Sequence, residues 1–203
     1  MPPFTRWLLA VLGAFACACA PAIAGPGREE VNYAALYAQG IAFADFLDQV
    51  RARREEWRAH YNDATVSADL MTRMRALSDR RRILVVAADH CLDSANTIPY
   101  VARLADAVPE RLQLRMLDPT RGQPIMEAHR TPDGRAATPT IAILGGDGHF
   151  IAAWTERPTA TQSWFLEQQK VTMQKPLHDQ LEAWYASDAG RTTVAEIAAL
   201  LSR

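Results

Sequence analysis

Ile83-Leu84-Val85-Val86-Ala87-Ala88, followed at once by Asp89-His90-Cys91-Leu92-Asp93-Ser94, joins two kinds of sequence at one point. The first six residues form a continuous apolar run, the pattern of a strand buried on both faces. From Ser94 the periodicity changes. Ile98, Val101, Leu104 and Ala105 recur at helical spacing and predict a helix over residues 94–107. Cys91 therefore stands where a buried strand meets a helix N-terminus. Unpaired N–H groups and the positive end of the helix dipole favour a thiolate there. A protonated His90 adds to that effect. Asp89 and Asp93 oppose it through like charge, and Asp93 or Ser94 can cap the helix.

Beyond this junction, residues 112–117 alternate as Leu112, Leu114 and Met116 and read as a second strand. A short helix follows over 124–129. Residues 140–144 and 149–154 read as two more strands, linked by the hairpin signal Gly145-Gly146-Asp147-Gly148. On the N-terminal side, residues 31–61 carry apolar side chains at helical spacing, with Gly40 as a break or bend, and a second helix is predicted over 67–77. Arg80 to Arg82, like Arg54 and Arg58, read as solvated surface. The C-terminal part is helical, with Pro176 ending or kinking one segment and a last helix over 194–201. This order predicts one α/β domain. Helical extensions flank it at both ends. The expected divisions are a helical extension over 25–80, a core over 81–160, and C-terminal helices over 161–203 that complete the domain.

The bulk composition agrees. Of 203 residues, 49% are hydrophobic and 22% charged, which is globular rather than disordered. A net charge of −1 supplies no field to draw nucleic acid or an anionic membrane. Residues 1–24 read as a secretory signal peptide: Arg6, an apolar run over 7–16, then Ala22-Ile23-Ala24 before Gly25. The run is short for a membrane span. The expected localisation is thus exported and periplasmic. The alternative is a lipoprotein acylated at Cys17 or Cys19, although neither has an aliphatic residue three positions earlier. Cleavage before Gly25 leaves Cys91 as the single thiol, so a disulfide would have to be intermolecular.

Cys91-x-x-Ser94, with Pro99 eight residues after the cysteine, resembles the thioredoxin superfamily. Gly134-Arg135-Ala136-Ala137-Thr138-Pro139-Thr140 is similar to the thioredoxin loop that ends in a cis-proline. The resemblance implies a thioredoxin-like fold with a central four-stranded mixed sheet and flanking helices, and a cis Thr138–Pro139 peptide facing Cys91, with Thr138 and Pro139 docking substrate. A closer resemblance is to a bacterial thioredoxin-like subgroup with the motif Trp-Cys-x-Asp followed by Cys or Ser, and a later strand ending in Trp before Arg-Pro. Cys91-Leu92-Asp93-Ser94 and Trp154-Thr155-Glu156-Arg157-Pro158 carry it here.

The departures bear on function. His90 replaces the usual tryptophan, Ser94 replaces the resolving cysteine, and Val85 occupies the place of a buried acid. Ser94 cannot resolve a mixed disulfide on Cys91, so an external thiol must. The sequence predicts monothiol thiol/disulfide exchange through Cys91, supported by His90, Asp93 and Ser94. The partner expected is a thiol- or disulfide-containing protein or a small thiol. No cofactor is implied. Asp89, His90, Cys91 and Asp93 lack ordinary metal-ligand spacing, so no metal is expected. The alternative is a redox-inactive peptide- or protein-binding module of the cell envelope, with Trp57, Tyr61, Trp164 and Trp184 as anchors. A peroxidatic thiol ranks below both, because the Thr-x-x-Cys pattern is absent.

Overall fold

β1 (Arg81–Val86) is the axis of a four-stranded sheet ordered β2-β1-β3-β4. The computed structural model describes residues 30–203, so the expected signal segment and Cys17 and Cys19 lie outside the described residues. Among the described residues four helices precede β1: α1 (Tyr33–Gln39), α2 (Phe43–Gln49), α3 (Arg54–Asp63) and α4 (Ala68–Arg75). α5 (Leu92–Ala107) leads from β1 to β2 (Leu112–Leu117), which pairs parallel to β1. After α6 (Pro119–Ala128), β3 (Thr140–Gly145) returns antiparallel to β1, and β4 (Phe150–Thr155) pairs antiparallel to β3. α7 (Thr159–Gln168), α8 (Gln174–Asp188) and α9 (Arg191–Leu201) close the chain. None of the described helices is long and apolar enough to cross a membrane.

Strand alternation splits the core into two layers. Ile83, Val85, Ile141 and Ile143 enter the larger one, with Trp57, Ile98, Leu104 and Ile197. Leu84, Val86, Ala142 and Leu144 face the other, with Tyr37 and Ile125. α6 lies so close on that second face that a Cβ at Gly122 would come within 2.4 Å of the Val86 side chain. A third cluster of Phe165, Leu177, Leu181 and Tyr185 lies against Leu92.

The single helical stretch read over 31–61 is three helices. At Gly40 the backbone turns extended, and a Cβ there would lie 2.8 Å from that of Arg115. Ile41 then bridges Met116, accepting from its N–H at 2.8 Å. The second break spans residues 50–53. The amides of Arg51 and Ala52 both donate to the Asp89 carboxylate at 3.0 Å, and Arg53 is left-handed with φ 52°. A tertiary partner 38 residues away thus overrides continuous apolar periodicity.

Other boundaries move for local reasons. α6 begins before Pro124, because Asp118 accepts from the amides of Thr120 and Arg121 and Pro119 takes the first position. Pro176 neither ends nor kinks a helix. It sits in the first turn of α8, where its missing N–H has no intrahelical partner to lose. Arg81 is not solvated surface: it is buried, and its Nε donates to the Leu201 carbonyl at 3.1 Å. Arg82 stacks over Tyr37 at 5.3 Å.

Candidate active site

Cys91 is the N-cap residue of α5. Its carbonyl accepts the first helical bond from Ala95, and its side chain is half-buried. Sγ donates to the Thr138 carbonyl oxygen at 3.2 Å. The Thr138–Pro139 peptide is cis. The structure therefore brings Cys91 and half-buried Thr138 together, with buried Pro139 next in the chain.

No side chain caps α5, neither Asp93 nor Ser94. Ser94 is fully buried and its Oγ has no hydrogen-bond partner, so the expected role at the helix start is not realised. His90 is 79% exposed at its side chain, with Nδ1 3.5 Å from the Asp89 carboxylate. A cavity of ≈ 330 Å³ beside it is floored by Ala87, Ala88, Met116 and Phe46.

The elements behind the loop hold it by specific bonds. The buried Trp57 indole donates to the Asp89 carbonyl at 3.0 Å, so this tryptophan is core rather than a partner anchor. Pro99 lacks the N–H that would bond the carbonyl of Ala95 four residues earlier. His60 fills that place: its Nδ1 lies 2.8 Å from the Ala95 oxygen and must be the protonated nitrogen. Asn96 donates to Glu56 at 2.7 Å. α3 is thus a backing for the first turns of α5.

The two acids flanking Cys91 have separate fates. Burial works against the Asp89 charge, but the amides of Arg51 and Ala52, together with His90, outweigh it and hold the carboxyl below its usual range. Asp93 turns into the protein. Its carboxylate accepts two bonds from Arg157 at 2.8 Å each and one from the Tyr185 hydroxyl at 2.7 Å. Arg157 also reaches Glu156 at 3.1 Å and Gln162 at 3.1 Å, and stacks on Phe165 at 4.0 Å. Glu156 receives a two-pronged contact from Arg135 at 3.0 and 2.9 Å.

Burial pushes the Asp93 carboxyl up, while Arg157 and Tyr185 pull it back and Glu156 adds to the rise. Only donors surround its two oxygens, so the carboxylate is the form this geometry satisfies. Burial and the adjoining Asp93 raise the Tyr185 hydroxyl well above its ordinary range, so it stays a donor. From sequence, Asp93 and Asp89 are like charges flanking the thiolate; in the fold the Asp93 charge is buried and set against that of Arg157. Glu156, Arg135, Gln162 and Tyr185 were not among the predicted site residues. Trp154-Thr155-Glu156-Arg157-Pro158 was the one signal that pointed toward this cluster.

Among the described residues no three or more His, Cys, Asp or Glu side chains are grouped to hold a metal ion. Asp89 and Asp93 are drawn apart by their partners, on either side of Cys91.

A strand, a cysteine capping the next helix and a proline loop opposite it on a β2-β1-β3-β4 sheet define a thioredoxin-like α/β protein. A family model described as Thioredoxin matches residues 40–174, and the chain belongs to that family. A protein of unknown function from Pseudomonas aeruginosa has a similar crystal structure. It is 19% identical with a TM-score of 0.66, over 85% of this chain and 98% of that one. An HIV epitope scaffold is 17% identical with a TM-score of 0.64, over 84% and 98%. At these identities the likeness is one of fold alone. No curated protein matches the chain.

Proposed function

We propose that this thioredoxin-family chain is an exported monothiol protein that performs thiol/disulfide exchange through Cys91. The observation that carries the reading is the half-buried Cys91 sulfur at the start of α5, 3.2 Å from the Thr138 carbonyl and next to Pro139. The Cys91 thiolate attacks one sulfur of a substrate disulfide R–S–S–R′. The Cys91–S–R bond forms, the substrate S–S bond breaks, and R′S⁻ leaves. Ser94 offers no second sulfur. An external thiol R″SH therefore loses its proton to solvent and attacks the mixed disulfide. Cys91 leaves as thiolate and R–S–S–R″ departs. Thr138 and Pro139 line the groove in which the substrate backbone docks, and exposed His90 borders it.

Trapping mixed disulfides in cells tests this reading, beside a Cys91→Ala control. Adducts that depend on Cys91 and dissolve in added thiol are expected. If no adduct depends on Cys91, the exchange reading fails and the cleft serves binding alone. The export part is tested separately by the mass of the mature N-terminus. A chain starting at Gly25 is expected, and an acylated cysteine would contradict it.

A further inference from the structure

Three charged side chains meet out of water two residues from the reactive sulfur: Asp93, Glu156 and Arg157 are 6%, 4% and 6% exposed. Stability is a weak reason for such a cluster. Buried ion pairs contribute little beyond what well-packed apolar side chains of similar size would give. Its placement is more informative. Asp93 belongs to the first turn of α5, the turn that Cys91 caps. Glu156 and Arg157 follow β4, and the Glu156 amide donates to the Pro139 carbonyl at 2.7 Å. Glu156 keeps a left-handed backbone, φ 66°, in doing so. The cluster therefore joins the helix that carries the thiol to the loop that faces it.

Charged groups lie on several sides of the Cys91 loop. The loop supplies exposed His90 and Asp89, the latter satisfied by the backbone of residues 51 and 52. From inside come Asp93, Arg157 and Glu156, with the neutral Tyr185 hydroxyl on Asp93 and half-exposed Arg135 beyond Glu156. The inner charges cannot be screened by water as the outer ones are.

We propose that the buried Asp93–Arg157–Glu156 cluster sets the reactivity of the Cys91 thiol, with Asp93 and Arg157 as opposed positioning residues, the first slowing and the second speeding its reaction. The inference takes its purpose from the exchange reading, but the thiol's reactivity is measurable whether or not exchange occurs.

The two charges make a signature that loosened packing cannot copy. The readout is the initial rate of Cys91 carboxamidomethylation by iodoacetamide at pH 7, followed on the Cys91 peptide of the full chain so that Cys17 and Cys19 do not interfere. Asp93→Asn keeps the side-chain shape and removes the negative charge, and the rate should rise about three- to fivefold, allowing for the lower nucleophilicity of a more acidic thiol. Arg157→Gln should slow it by a similar factor, and the double variant should return to within about twofold of the parent. If Arg157→Gln does not fold, Asp93→Asn decides with Tyr185→Phe. The latter strips one donor from Asp93, leaves its charge less quenched, and should slow the thiol. Opposite signs support the proposal. Changes in the same direction, or rates within about 1.5-fold of the parent alongside lowered stability, overturn it and leave the cluster a brace only. Loss of Cys91-dependent adducts in cells with the opposite signs retained would sink the exchange reading and not this one.

Discussion

Asp89 and Asp93 stand two residues either side of Cys91, and a sequence reading treats them as equal negative charges. The fold treats them in opposite ways. Asp89 stays at the surface, accepts two backbone amides of the α2–α3 break, and has its carboxyl held down. Asp93 is taken inside, paired with Arg157 and Tyr185, and its carboxyl is pushed up by burial. One acid shapes the loop by hydrogen bonding in partial contact with water. The other joins the two walls of the cleft by charge where water does not reach. Identical chemistry at symmetric positions gives different physics because desolvation, not side-chain type, fixes what a carboxylate costs and holds.

The largest effect should come from breaking the buried side. Arg157→Leu strands the Asp93 and Glu156 carboxylates and should cost about 3–5 kcal/mol in urea unfolding. A loss under about 1 kcal/mol would mean that the inner acid is no more demanding than the outer one. Next, His60→Ala removes the donor to the Ala95 carbonyl left open by Pro99 and should cost about 1–3 kcal/mol. Unchanged stability there would mean that water serves as well as α3 in backing the site.

On the outer side, Asp89→Ala should cost only about 1 kcal/mol, as expected for bonds in partial contact with water. Its pH dependence has a definite sign. A carboxyl held down in the folded state contributes stability above its unfolded pKa of about 4, and that contribution is lost as pH falls through the lower folded value. Asp89→Ala should therefore be measurably less stable than the parent at pH 7 and nearly equal to it near pH 2. A difference that persists undiminished in acid would contradict that assignment. The smallest effect is expected at Ser94. Its buried Oγ has no partner, so Ser94→Ala should leave stability within about 0.5 kcal/mol or raise it slightly. A clear loss would reveal a partner for that hydroxyl.

The junction at Cys91 was legible because a change of hydrophobic period is a local signal: a buried strand ends and a helix begins within a few residues. The four strands were legible for the same reason, whereas their mixed pairing followed only from the resemblance carried by Cys91, Pro99 and Pro139. The three short N-terminal helices were not. Phe43, Phe46, Val50 and Trp57 keep helical spacing through a break caused by Asp89, which no window around residue 50 contains. The cluster at Asp93 was half legible. Arg157 lay in a motif that could be quoted, but its partner is 64 residues away and Tyr185 lies further still. Val85 suggested that the buried acid of the fold had been lost. Val85 is fully buried, and acids are buried elsewhere, at Asp93 in the first turn of α5 and at Glu156 after β4.

The central claim is that Cys91 exchanges with an outside thiol and has no resolving cysteine among the described residues. Incubating the full chain with oxidised glutathione and mapping the Cys91 peptide by mass spectrometry tests it most directly. One glutathione adduct should accumulate on Cys91, persist after the free disulfide is removed, and disappear only when an external thiol is added. A Cys91 peptide that never gains the adduct, or that sheds it with no thiol present, would contradict the account.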